Sequence, residues 1–172
     1  MSSLNKDSFI NILFLYLPIG MLFLSVFNDF DFNYLKIDYF TFNFAHILIF
    51  FWTLKNPDHL GYISIFTAGI INDVIIGIPI GISSFCYLLI CVTTAYIRNI
   101  TLNPNFINDW LSFLFTILFI NSIQIIILDL IFLIEIDYLR YLINTGFTFL
   151  FYPIFFFLFN LINKKILIRL ND

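Results

Sequence analysis

Six long apolar runs dominate the chain, each close to the length of about 20 residues that a helix needs to cross a hydrocarbon core about 30 Å thick. They extend over about 8–27, 38–54, 60–76, 81–97, 110–134 and 141–162. The runs are continuously apolar. Strands of a membrane barrel would instead alternate apolar and polar side chains over segments of about ten residues. The pattern therefore predicts an all-α, polytopic membrane protein with six transmembrane helices. The connecting loops are too short to build a second core, so the expectation is one integral membrane domain over 1–172.

Composition closes off the other classes. The chain is 61% hydrophobic and only 11% charged, against about 45–50% and about 25% for soluble domains. Disorder requires the opposite balance. Nucleic-acid binding requires a basic field, whereas Lys+Arg number 8 against 11 Asp+Glu. The 25 Phe substitute for Leu on lipid-facing surfaces and read as neutral in function.

The first run lacks a small-x-small cleavage site after Ser25-Val26-Phe27-Asn28 and reads as an uncleaved span. Positive charge in short loops sets orientation. With the N-terminus inside, Lys6, Lys55, Arg98, Lys164, Lys165 and Arg169 are cytoplasmic, while only Lys36 and Arg140 lie outside. Both termini are then cytoplasmic. The tail from Lys164 to Leu170 reads as a topology anchor, the alternative being a segment that lies on the anionic membrane lipids of the inner leaflet. Cys86 and Cys91 lack a third ligand for a metal and read as buried free thiols.

An intramembrane carboxylate costs about 2.5–3.5 kcal/mol on insertion scales and so requires a partner or a role. Asp73 lies about one turn from the outer end of the third span. Gly69, Asp73 and Gly77 recur every four residues and share a helix face, where small residues let a neighbouring backbone approach and donate hydrogen bonds. Two readings remain for Asp73, a helix-packing notch around an internally paired acid and a partner- or ligand-binding acid. In the fifth span Asn121, Gln124 and Asp129 fall on one broad side. Asn43 and His46 in the second span can meet that side across the bundle, either lining a small cavity or bonding one another. No Walker loop, HExxH or GxSxG motif occurs. The expectation is a non-enzyme with no catalytic residue, metal or cofactor.

The stretch from Gly69 to Gly81, GIINDVIIGIPIG, resembles the G-[LI]-[LI]-x-D-[LV]-x-x-G-x-P-[LI]-G signature of the rod shape-determining MreD family. As in that family, an apolar span ending at an arginine follows, here Arg98. Pro18, Pro57, the six-span layout and the chain length fit as well. Asn72, beside the acid, is more polar than the pattern. The resemblance implies a scaffold in the bacterial inner membrane. It would bind the single-span protein MreC and, through it, act with MreB, RodA and the elongation transpeptidase in lateral peptidoglycan synthesis. It also implies a fold similar to the substrate-binding subunits of energy-coupling-factor transporters. Gly69, Asp73, Gly77, Pro79 and Gly81 are the motif positions, expected to shape the hairpin between the third and fourth spans. The alternative is such a transporter subunit, with an outward pocket lined by Asp73, Gln124 and Asp129. The Phe- and Leu-rich first span, without alanine, argues against it.

Overall fold

Asn43 starts a helix that is buried along nearly its whole length: its side-chain oxygen accepts the His46 amide at 3.3 Å, the usual way a helix N-terminus is satisfied. In the computed structural model, which describes residues 16–26, 41–101 and 105–171, α1 is Tyr16–Val26 and α2 is Phe44–Lys55. A 3₁₀ turn at Pro57–His59 leads into α3, Tyr62–Ile76. Then follow α4, Ile82–Ile100, α5, Phe106–Ile126, and α6, Tyr138–Asn171. The regular elements among the described residues are all helices, with no strand. Residues 8–15, the loop with Asp29, Asp31 and Lys36, Lys6, the start of the second run and the Arg169 side chain lie outside the described set.

Several helix limits differ from the apolar runs. The second helix begins at Phe44, with Asn43 as its N-cap. The fifth begins at Phe106 and widens into a π turn at Ile127–Ile131. It stops where Leu133 takes a left-handed φ of 53°. The sixth does not end at Ile162: it is 34 residues long and runs on through Lys164 and Lys165. At about 1.5 Å per residue it is longer than a hydrocarbon core is thick. The segments Phe106–Ile131 and Tyr138–Ile166 are each long and apolar enough to cross a membrane, and α1, α2 and α3 are shorter apolar helices.

From Ala45 to Leu54 every residue of α2 is buried, as expected of a helix that is apolar all round. It packs against α4 and α6, while α3 pairs with α4, and α5 with α4 and α6. Aromatic rings lock the centre. Phe50 meets the rings of Phe113 and Tyr152 edge-on at 5.1 and 5.8 Å, and those two stack at 4.4 Å. The Phe content is thus not neutral throughout. Phe50, Phe51, Phe113 and Phe159 are fully buried, whereas Phe115 and Phe157 are exposed, as suits side chains facing lipid.

Candidate functional site

The α3–α4 hairpin is built around Asp73, which is 0% exposed. Its carboxylate accepts the backbone amide of Gly81 at 2.7 Å and that of Ser83 at 2.9 Å. These are among the first amides of α4, which have no partner inside their own helix. A negative group there also meets the positive end of the helix dipole. The Asp73 carbonyl is used as well: it accepts from Gly77 at 2.9 Å and from Ile78 at 3.2 Å, closing the end of α3. One residue therefore terminates one helix and starts the next.

The glycines of the motif act in two different ways. At Gly69 a Cβ would lie 2.5 Å from the Ser84 amide nitrogen and 2.7 Å from its hydroxyl, so only glycine lets α4 come this close. Ser84 Oγ then donates to the Phe66 carbonyl at 2.9 Å, and Asn72 Nδ2 donates to Ser83 Oγ at 2.9 Å. Gly77 does not extend this packing face. It ends α3 with φ +78°, and Gly81 precedes α4 with φ +105°; both values lie in the region that L side chains avoid. A Cβ at either would meet nothing within 4 Å, so backbone conformation is their requirement. Pro79 stands in the turn between them, where its missing N–H removes no helix bond.

Beside the hairpin is a cavity of about 510 Å³ between α2, α3, α4, α5 and α6, where polar side chains stand among apolar ones. Asn43, His46, Asn121 and Gln124 all line it. Asn43 Nδ2 lies 3.3 Å from His46 Nε2, which fits a ring protonated on Nδ1. Asn121 Nδ2 donates to Thr145 Oγ1 at 2.6 Å, and Asn144 Nδ2 to Thr41 Oγ1 at 2.9 Å. The Gln124 side chain makes no hydrogen bond among the described residues. Asp129 does not join the cavity: its carboxylate takes the Tyr138 hydroxyl at 3.1 Å outside it. The residue that follows Asn121 and Gln124 on their helix face, at seven and four positions on, is Leu128, and Leu128 lines the cavity. Asp73 is likewise absent from the lining, since the hairpin encloses it. Of the pocket expected for a transporter subunit, only Gln124 is in place.

At the far end of the bundle lies a pair that the apolar runs did not reveal. Lys55 Nζ and Asp109 Oδ2 are 2.8 Å apart, with Asp109 nearly enclosed, and Lys55 also sits 5.7 Å above the Phe156 ring. Beside them Asn56 Nδ2 donates to Asn163 Oδ1 at 2.6 Å and Arg98 donates to the Thr53 carbonyl at 3.3 Å. The signal in the sequence is that Lys55 ends the second run and Asp109 precedes the fifth, opposite charges at the same end of the bundle. Cys86 and Cys91 are free and buried.

Against this geometry, the family model described as rod shape-determining protein MreD matches residues 7–162. The chain belongs to the MreD family. The match extends well beyond the Pro57–Arg98 stretch that carries the motif and takes in all six apolar runs. Membership makes this a membrane protein of rod-shape determination, in a family of structural membrane proteins that is not a known enzyme family. No curated protein and no solved structure matches the chain.

Proposed function

We propose that this MreD-family chain is a multi-pass scaffold of the bacterial cytoplasmic membrane. It would be a single domain crossing the membrane with six spans and with both termini in the cytoplasm. In this reading it binds an MreC-like single-span protein and couples it, through MreB, RodA and the elongation transpeptidase, to lateral peptidoglycan synthesis. The observation that carries the reading is the stapled hairpin. Gly69, Asp73, Gly77 and Gly81 are used inside the hairpin, so what it presents outward is an apolar surface that includes Val74, Ile75 and Ile80, all exposed, while Ile76 lines the cavity. Within a bilayer such a face attracts another helix through packing rather than through the hydrophobic effect. The motif thus builds the support and the neighbouring β-branched residues make the contact.

The likeness to substrate-binding subunits of energy-coupling-factor transporters is carried as a proposal about fold alone. The family match gives no support to transport as the function. The test is co-purification of this chain with its MreC-like partner. Val74→Trp and Ile80→Trp are expected to reduce recovered partner severalfold with thermal stability unchanged. Asp73→Leu is expected to lower partner recovery and stability together. Full partner recovery and normal rod shape with all three variants would discard the reading.

A further inference from the structure

A second depression adjoins the cavity. It is an apolar groove of about 440 Å³ between α5 and α6, walled by Leu114, Leu118, Ile125, Leu142 and Phe149. Gly146 forms part of its floor, and a Cβ there would meet nothing within 4 Å. Asn121 and Tyr141 line both the groove and the cavity. A chamber that gathers several polar side chains, continued by an almost wholly apolar groove along two helices, has the two-part chemistry of a lipid. We propose that cavity and groove together hold one membrane lipid with an uncharged, polyhydroxylated headgroup, the sugar ring of a glycolipid.

The headgroup chemistry follows from which polar atoms are already engaged. Asn72 and Asn121 direct their N–H groups to Ser83 and Thr145, which leaves their carbonyl oxygens as acceptors. Gln124 adds an amide with no partner among the described residues. Such a lining is completed by hydroxyl donors, because polar groups away from water are stable only when hydrogen-bonded. Among the described residues the charged side chains of the lining are Glu135 and Asp137 against Arg140, a balance that disfavours a phosphate-bearing headgroup. Tyr141 supplies an aromatic wall on which the C–H face of a sugar can rest.

The experiment uses the full chain in a polyoxyethylene detergent, which carries no sugar, with native mass spectrometry as the readout. The probes are monoglucosyl diacylglycerol, phosphatidylglycerol, phosphatidylethanolamine and free glucose. Monoglucosyl diacylglycerol is expected to be retained in preference to both phospholipids. Gln124→Leu removes a side chain with no partner among the described residues, and Gly146→Leu fills the groove. Each is expected to lower glycolipid affinity by about tenfold, the equivalent of about 1.4 kcal/mol. Gln124→Glu keeps the shape and removes the amide, and it carries the test if the leucine variant does not fold. Glucose binding as tightly as the glycolipid, and unaffected by Gly146→Leu, would make the ligand a soluble sugar and overturn the lipid assignment. Equal retention of phosphatidylglycerol, or unchanged retention in folded variants, would overturn the proposal outright.

Discussion

The indole N–H of Trp110 donates to the backbone carbonyl of Phe149 at 3.1 Å, and that carbonyl is the one Pro153 leaves without a partner. A proline has no amide hydrogen for the residue four before it, and in lipid no water takes its place. The Trp110 and Phe149 rings stack at 4.8 Å, so the contact that satisfies the backbone also joins α5 to α6. Trp110→Phe is expected to lower stability by about 1–2 kcal/mol, read as thermal unfolding in detergent. Adding Pro153→Ala is expected to recover part of the loss, since alanine restores the donor within α6. A double-mutant cycle with no coupling would disprove the link.

The Asp73 carboxylate holds two backbone amides. Asp73→Leu orphans both and is expected to destabilise by several kcal/mol, at about 1–3 kcal/mol for each buried donor left unpaired. Asp73→Asn keeps one acceptor oxygen and is expected to fall between that variant and the parent. Equal melting temperatures for the three proteins would show that the staple contributes nothing.

Backbone conformation and close approach are separable among the motif glycines. Gly77→Ala and Gly81→Ala each place a side chain at positive φ and are expected to lose about 1–2 kcal/mol. Gly69→Ala, with its Cβ against the Ser84 backbone, is expected to lose more because α4 must move. Unfolding in detergent orders the three variants.

The Lys55–Asp109 pair predicts an asymmetry. Lys55→Met leaves an enclosed carboxylate without its cation and is expected to lose about 3–5 kcal/mol. Adding Asp109→Leu removes the orphaned charge, and most of the loss is expected to return. If the double variant were no more stable than Lys55→Met, the pair would not be coupled as the 2.8 Å contact implies.

Tyr152 is buried within the aromatic cluster, and its hydroxyl has no hydrogen-bond partner among the described residues. Tyr152→Phe keeps the ring contacts and removes an unsatisfied polar atom, so it is expected to be neutral or to stabilise by up to about 1–2 kcal/mol. A clear loss on thermal unfolding would show that the hydroxyl has a partner.

The hairpin was largely legible from the residues, because its signals are local. Asp73 and the left-handed positions at Gly77 and Gly81 lie within nine residues of one another, and helix ends are governed by near neighbours. What sequence spacing misjudged was Gly77, placed on a packing face when it serves as the helix stop. The cavity was half legible. Asn43, His46, Asn121 and Gln124 do meet, but spacing alone could not exclude Asp129, because it does not say how the helix faces rotate against their neighbours.

Run length and composition alone decide that this is a helical membrane protein, since a bilayer admits few structures and a 61% hydrophobic chain has few alternatives. The five spaced motif positions carry the family. Tertiary structure decides what depends on pairs far apart in the chain. Trp110 repairs the backbone at Pro153 from another helix, Lys55 finds Asp109 across 54 positions, and α2 rather than any longer helix is buried along nearly its whole length. The physical reason is that apolar runs are interchangeable to lipid. Which of them turns inward is set by side-chain shape and by the few polar groups that must find one another.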